Sequence, residues 1–150
     1  MKQVASALGE LTVRSGRVKR AKRLASRSFR AESGDFLAEG PQAVREALIE
    51  GLARDVFATP EAFERHANLP SVDTGDAEWH LVEDEVLAHI ADAVNPQGIV
   101  ARCIQVQYEL DAVLADSPKL LVVCAEIRDP GNAGSVIRAA DAAGADAVIF

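Results

Sequence analysis

Long hydrophobic runs are missing from this 150-residue sequence, and cysteine and aromatic residues are scarce. No stretch approaches the ~18 consecutive apolar residues of a transmembrane helix. The N-terminus lacks the apolar stretch of a secretory signal peptide, so we expect a cytoplasmic protein. The two cysteines, Cys103 and Cys124, lie in apolar runs without the spacing of metal ligands, which favours two buried, reduced thiols.

The three histidines, His66, His80 and His89, also lack the spacing of a metal site, so no metal is expected. With 49% hydrophobic and 26% charged residues, the composition is that of an ordinary globular protein. A chain of this length buries roughly 70% of its unfolded surface and needs no disulfide to stay folded. The net charge of −7 would by itself argue against a nucleic-acid partner.

The net charge hides a division along the chain. Residues 1–30 carry nine bases and one acid, a net +8, whereas residues 31–150 carry seven bases and 22 acids, a net −15. Such a separation of charge points to an arm that binds a polyanion. Eight of the nine bases form a basic segment between residues 14 and 30, and we take them as candidate RNA-binding residues. They are Arg14, Arg17, Lys19, Arg20, Lys22, Arg23, Arg27 and Arg30.

One helix over the middle of this basic segment would spread the bases around an apolar face. That face would consist of Val18, Ala21, Leu24 and Ala25. Several phosphates could then be contacted at once. Aromatic residues are only 5% of the chain and are scattered, so no platform for stacked bases is expected and recognition of RNA backbone and shape is favoured. The alternative is a solvated basic helix that only balances the acidic remainder.

The first hundred residues alternate short apolar runs with amphipathic segments. Strands are predicted at 36–38, 55–58 and 99–106. Helices are predicted to begin at Pro41, Pro60 and Glu83. Residues 71–76 are rich in turn formers, and Trp79 is interpreted as a core or interface aromatic. The alternation predicts an α/β layer domain, assigned to residues 1–106.

A second unit follows this domain. Residues 107–118 are acidic, end in Ser-Pro and predict a linker. The pattern then restarts with the apolar run Leu120–Ala125, a loop over 129–134, a helix over 135–143 and a second apolar run that reaches Phe150. One β-loop-α-β unit cannot cover its own sheet. We therefore expect the chain to be a fragment of a longer polypeptide or to need a partner.

The loop between the two apolar runs carries the strongest signal for chemistry. Ligands of α/β sheets collect at the carboxyl ends of parallel strands, and here the loop leads into a helix whose N–H groups attract an anion. Gly131 and Gly134 allow close approach, and Arg138, four residues after Gly134, faces the space that this glycine leaves open. Arg128 is either a phosphate contact or a solvated side chain. The P-loop and dinucleotide fingerprints are absent, so an anion-facing site and a structural turn both remain open.

The segment DPGNAGSVIRAADAAG, residues 129–144, resembles the first motif of the SpoU (TrmH-like) RNA ribose 2′-O-methyltransferases. The family pattern D-P-x-N-x-G-x-x-x-R-x-A-x-x-x-G is filled at every fixed position. The basic segment, Ser33–Gly40 and Asn95–Ala101 resemble the substrate-binding domain that precedes the catalytic domain in this family. The resemblance thus spans nearly the whole chain in the right order.

The resemblance implies roles for particular residues. Arg138 matches the motif arginine that lies beside the target ribose, and Asn132 matches the asparagine that holds this arginine and an RNA phosphate in place. A guanidinium stays protonated at neutral pH, so we expect Arg138 to orient the 2′-hydroxyl and stabilise its oxyanion. The loop at the active site is formed by Asp129, Pro130, Gly131 and Gly134.

The implied fold is an α/β/α sandwich resembling ribosomal-protein-type RNA-binding domains, followed at residues 119–150 by the first β-loop-α-β unit of a trefoil-knotted methyltransferase domain. In the family, later motifs bind S-adenosylmethionine and close a homodimer. Those motifs would lie beyond residue 150, so this chain alone is expected to be inactive, monomeric and unable to bind the cofactor.

Three functions remain open. The first is the RNA-recognising part of an S-adenosylmethionine-dependent 2′-O-methyltransferase, with ribosomal RNA favoured over transfer RNA as the substrate. The second is a stand-alone RNA-binding module without catalysis. The third is an α/β enzyme of nucleotide or phosphate metabolism that uses the loop between Gly131 and Arg138.

Overall fold

Five short strands form the sheet of the first unit in the computed structural model, which describes residues 4–150. The chain divides after Gln105 into this unit and a second one, Val106–Phe150. The strands of the first unit are β1 (Val4–Ser6), β2 (Asp35–Glu39), β3 (Ala53–Ala58), β4 (Glu78–Leu81) and β5 (Ile99–Ile104). Its helices are α1 (Gly16–Arg23), α2 (Arg27–Ser33), α3 (Pro41–Ile49), α4 (Pro60–Arg65) and α5 (Asp84–Ile90), with a 3₁₀ turn at Leu69–Ser71.

The sheet is mixed, with the strand order β1-β4-β3-β5-β2. β4 pairs in parallel with both β1 and β3, whereas β5 runs antiparallel to β3 and β2. The strands predicted near residues 36, 55 and 99 are present. β1 and β4 were not predicted, because β1 is three residues long and β4 mixes charged and aromatic residues without an apolar run.

Helices cover both faces of this sheet. Val56 and Ala58 of β3 face a core shared with α3, whereas Phe57 between them faces α1 and α5. Trp79 lies in the α3 core, where its ring meets Phe63 edge-on at 5.5 Å. The alternation of side chains along β3 therefore separates two cores. The predicted α/β/α sandwich is confirmed.

The basic segment folds as two helices and not as one. The backbone N–H of Leu24 bonds to the carbonyl of Ala21, which tightens the end of α1, and Ser26 is extended before α2 begins. Serine competes with helical hydrogen bonding and favours such a boundary. Val18, Ala21 and Leu24 are buried as predicted, but Ala25 is exposed.

The second unit contains α6 (Leu110–Ala115), β6 (Leu121–Val123), α7 (Pro130–Ala142) and β7 (Ala147–Ile149). β6 and β7 pair in parallel, but they are shorter than the predicted apolar strands, and Val123 is 71% exposed. The segment predicted as a linker includes α6. Cys103 is buried as predicted, which raises the pKa of its thiol to about 12, whereas Cys124 is only half-buried. No described helix combines the length and the apolar surface needed to cross a bilayer.

A row of polar side chains crosses all five strands of the first unit on the α1 face. Asp55 of β3 is 2% exposed and accepts hydrogen bonds from Arg102 of β5 at 2.5 Å and His80 of β4 at 3.1 Å. Arg102 also donates to Asp35 of β2 at 2.9 Å, and the other ring nitrogen of His80 lies 3.0 Å from Ser6 of β1. The row satisfies buried polar groups that would otherwise destabilise the sheet.

Two arginines of helix α1 bind to the carboxylates of this row. Arg17 donates to Asp55 at 2.5 Å and to Glu78 at 2.8 Å, and Arg20 donates to Asp35 at 2.9 Å. Burial alone would raise the pKa of Asp55, but the hydrogen bonds from His80, Arg102 and Arg17 outweigh burial and hold that pKa well below its usual range. The ionised carboxylate of Asp55 therefore links α1 to the centre of the sheet.

Replacing Asp55 with alanine is expected to lower the free energy of unfolding by about 3–5 kcal/mol, because three donors would lose a buried acceptor. The control Glu61→Ala removes the exposed ion pair with Arg65 and should cost at most about 1 kcal/mol. Urea denaturation of both variants and the parent chain measures the difference. Equal losses in the two variants would contradict the central role of Asp55.

Acid should also destabilise the chain through Asp55. In the unfolded chain this carboxyl takes up a proton at its ordinary pKa, whereas in the folded chain it stays ionised, so stability falls as the pH is lowered below about 5. Urea denaturation at several pH values between about 5 and 3 tests the direction. Asp55→Asn should lose less stability than the parent over this range, and parallel curves would remove Asp55 as the source.

Candidate RNA interface and active-site helix

Seven of the eight predicted RNA-binding bases of the basic segment fall into two groups, and Arg23 differs from both. Arg17 and Arg20 bind the carboxylates of the polar row, although about half of each side chain is exposed. Arg30 donates to the carbonyls of Leu24 and Ala25 at 2.7 and 2.9 Å, which caps the end of α1. These three arginines hold the fold together, whatever else they contact.

Four bases make up the second group, which we call the unpaired bases. In the part of the chain that the structure describes, no ion pair or hydrogen bond engages their side chains. They lie on α1, on α2 or just before α1, so their charges are available to a polyanion. The unpaired bases are Arg14, Lys19, Lys22 and Arg27.

The eighth base, Arg23, lies against the aromatic ring of Phe29, which was not predicted. Its guanidinium carbon is 3.8 Å from the centroid of the Phe29 ring, a cation–π contact between α1 and α2. The absence of a platform for stacked bases stays a prediction, but one aromatic ring does lie against a base of the basic segment. Phe29 lies only six residues from Arg23, but the turn that folds α2 back against α1 was not predicted.

The two N-terminal segments that resemble the family lie side by side. β2 and β5 pair antiparallel, and the backbone N–H of Gly40 bonds to the carbonyl of Ile99 at 3.0 Å. The side chain of Gln97 would lie 3.4 Å from a Cβ at Gly40. At Gly98, with φ +78°, a Cβ would lie 2.8 Å from that of Ala62, so only glycine fits. Residues far apart in sequence thus form one corner of the first unit.

In the second unit, the predicted active-site loop is the first turn of α7. Asp129 precedes the helix and accepts a hydrogen bond from the backbone N–H of Asn132 at 2.8 Å. The prediction of a loop over 129–134 is wrong, because this cap and the following proline start the helix five residues earlier than Ser135. The side chain of Pro130 lies outside the described residues. Gly131 is exposed at the helix start.

Arg138 lies over Gly134, as predicted from their spacing. A Cβ at Gly134 would come 3.5 Å from an Nη atom of Arg138. The guanidinium also donates to the hydroxyl of Ser135 at 3.2 Å, and this hydroxyl donates to the carbonyl of Gly131 at 3.0 Å. Ser135 was not among the candidates, since the motif leaves its position variable. These contacts orient an exposed cation against the second turn of α7.

The other two candidates of this unit are less constrained. The side chain of Asn132 makes no hydrogen bond to Arg138 within the described residues, so the holding role implied by the resemblance stays a prediction. Arg128 is exposed before the helix. An exposed cation beside a helix N-terminus can bind a phosphate or polarise a hydroxyl.

One cluster in the described residues has the composition of a metal site. Single ligand atoms of Asp55, Glu78 and His80 lie within 4.8 Å of one another. Arg17 already bridges the two carboxylates of this cluster. We therefore interpret it as part of the ion-pair row and not as a metal site.

Comparisons with known proteins agree with this arrangement. A family model, the MRM3-like substrate binding domain, matches residues 16–101. The 23S rRNA (guanosine(2553)-2'-O)-methyltransferase RlmP of Bacillus subtilis is 32% identical over 152 residues, which cover 100% of this chain and 54% of that protein. The mitochondrial rRNA methyltransferase 3A of Danio rerio is 33% identical over 130 residues, which cover 83% of this chain and 29% of that protein.

A solved structure, that of an rRNA methyltransferase from Sinorhizobium meliloti, matches with a TM-score of 0.71 and 27% identity, covering 98% of this chain and 54% of that one. The chain spans about half the length of the bacterial relative and of this structure. The predicted resemblance to SpoU methyltransferases is confirmed. Since the family model matches more than half of its residues, the chain belongs to the MRM3-like substrate-binding-domain family of SpoU-type proteins.

Proposed function

We propose that this chain is the RNA-recognising part of an S-adenosylmethionine-dependent ribose 2′-O-methyltransferase of ribosomal RNA. Residues 1–106 would bind the RNA, and residues 119–150 would begin the methyltransferase domain. Residues 107–118 would link these two domains. The observation that carries the proposal is the order of two features in one chain: a match to a substrate-binding domain, followed by a helix on which Arg138 lies over Gly134.

Several observations support RNA as the substrate. The unpaired bases concentrate positive charge at one part of an otherwise acidic chain. The relatives described above are named as methyltransferases of ribosomal RNA, which favours ribosomal over transfer RNA. The cytoplasm stays our prediction for where the protein acts, and a homodimer stays our prediction for the full-length enzyme.

Arg138 would act at the hydroxyl that receives the methyl group. The hydrogen bond to Ser135 orients the guanidinium, and the missing side chain at Gly134 lets the guanidinium lie close to the helix backbone. A protonated guanidinium can donate to the 2′-oxygen and stabilise the negative charge that develops as its proton leaves. An RNA phosphate or water would take up that proton, and Asn132 would help to place the phosphate.

S-adenosylmethionine would supply the methyl group. Gly131, Asn132 and Ser135 beside Arg138 are exposed, so they offer no enclosed site for its adenosine. We therefore assign no cofactor ligand and no cofactor-dependent step to this chain. Its contribution is the orientation of the RNA and of its reacting hydroxyl.

Neutralising two of the unpaired bases should weaken RNA binding without disturbing the fold. We expect Lys19→Gln combined with Lys22→Gln to bind a stem-loop of ribosomal RNA about tenfold more weakly, with a salt slope smaller by about 2. Fluorescence anisotropy at several salt concentrations measures both quantities. The matched control, Arg45→Gln with Arg65→Gln, removes two exposed bases outside the segment. Equal effects of the two double variants would argue against recognition by the basic segment.

Removing the guanidinium of Arg138 should slow methylation strongly while RNA binding persists. In the full-length product of the gene that encodes this chain, Arg138→Ala should slow methyl transfer by about 100-fold or more, because a donor to the reacting oxygen is lost. Transfer of a radioactive methyl group from S-adenosylmethionine to ribosomal RNA is the readout, with affinity measured in parallel.

Ser135→Ala, which loosens the guanidinium but keeps it, serves as the control and should have a smaller effect. Full activity of Arg138→Ala would remove the assigned role. A full-length product that binds ribosomal RNA but transfers no methyl group would favour the stand-alone RNA-binding module.

A further inference from the structure

A groove of about 520 Å³ lies between α1 and α2 in the first unit. One face of each helix lines it, with residues at helical spacing, so its walls are fixed by secondary structure. Helix α1 contributes Gly16, Lys19, Arg20 and Arg23, and α2 contributes Phe29, Glu32 and Ser33. The volume falls in the ~300–1,000 Å³ range of clefts that bind small ligands or single residues of a larger partner.

A flat stacking surface forms one side of this groove. The guanidinium of Arg23 lies 3.8 Å from the centroid of the Phe29 ring, which holds it in place. Arginine planes and aromatic rings are the surfaces on which proteins stack unpaired RNA bases. A guanidinium can also bind a phosphate, but a groove that bound only phosphate would not need the aromatic ring beside it.

The charged groups around this surface differ in what they can bind. Lys19 belongs to the unpaired bases and can take a phosphate, whereas Arg20 is held by Asp35. Glu32 is exposed among these cations without an ion pair in the described part of the chain. A carboxylate would repel a phosphate, but it accepts hydrogen bonds from N–H groups at the edge of a base.

We propose that this groove binds one unpaired nucleotide of the RNA, with its base stacked on the Arg23–Phe29 pair and its phosphate at Lys19. Glu32 reads the edge of the base. Guanine fits best, because its N1–H and amino group are adjacent donors that match the two oxygens of one carboxylate. The proposal rests on RNA as the partner and adds recognition of a single-stranded base to the backbone contacts.

Binding of short single-stranded RNA to the 150-residue chain tests the groove directly. The probes are fluorescein-labelled hexamers of uridine, with or without one central guanosine, and anisotropy gives the affinities. The parent chain should bind the guanosine hexamer more tightly. Phe29→Leu, which keeps an apolar side chain, should weaken that binding about tenfold, and Phe29→Tyr should restore it. Glu32→Gln should abolish the preference for guanosine without weakening binding of the uridine hexamer.

The outcomes separate this proposal from the proposed function. If Phe29→Leu binds like the parent while Lys19→Gln with Lys22→Gln is weakened, the groove is not a nucleotide site but RNA recognition stands. If the parent chain binds neither the hexamers nor a ribosomal stem-loop, both proposals fail. If Phe29→Leu does not fold, NMR resonances of the Phe29 ring in the parent chain provide the test. They should shift more with the guanosine hexamer than with the uridine hexamer. Equal or absent shifts overturn the proposal.

Discussion

A buried carboxylate on the middle of the sheet determines how the first unit is assembled. Asp55 receives hydrogen bonds from β4, β5 and α1, so one ionised side chain joins three elements that are distant in sequence. Helix α1 buries only Val18 and Ala21 within its eight residues. Apolar contact of that extent is too small to fix a short helix, since nucleation is unfavourable and most helical stability comes from packing. The ion pairs supply orientation that the apolar face alone does not.

Because carboxylates of the sheet hold α1 in place, only some bases of the basic segment are available to a partner. The net +8 of the first 30 residues suggests an arm made entirely for a polyanion, yet Arg17 and Arg20 are matched by carboxylates of the sheet. Part of the separation of charge along the sequence is therefore cancelled in the fold. What remains at the surface is a smaller set of bases, of which Lys19 and Lys22 lie on a helix whose position is fixed. Fixed cations lose less entropy on binding than cations of a flexible arm, which favours recognition of a defined RNA shape.

The sequence predicted what local chemistry decides. Thr59 caps α4 as expected, and the buried positions of α3 follow from apolar spacing. The pairing of Arg17 with Asp55 joins residues 38 positions apart, and no spacing rule reports it. β4 was overlooked for a related reason, because Glu78 and His80 serve the polar row and so remove the apolar pattern by which a strand is recognised. In β4, the polar groups that hold the fold together thus hide the strand that carries them.

The same distinction explains why the motif around Arg138 was recognisable in the sequence while the proposed nucleotide groove was not. The contacts that place Arg138 come from one short segment: Asp129 caps the helix, Gly134 leaves space and Ser135 accepts a hydrogen bond. A site built from consecutive residues must keep its spacing in the sequence, so a pattern can describe it. The groove beside Phe29 is formed by two helices and depends on the turn between them. The position of α1 depends in turn on the ion pair between Arg17 and Asp55. A binding site that depends on tertiary contacts leaves no spacing pattern in the sequence. Its only trace there is composition, in this case an excess of positive charge.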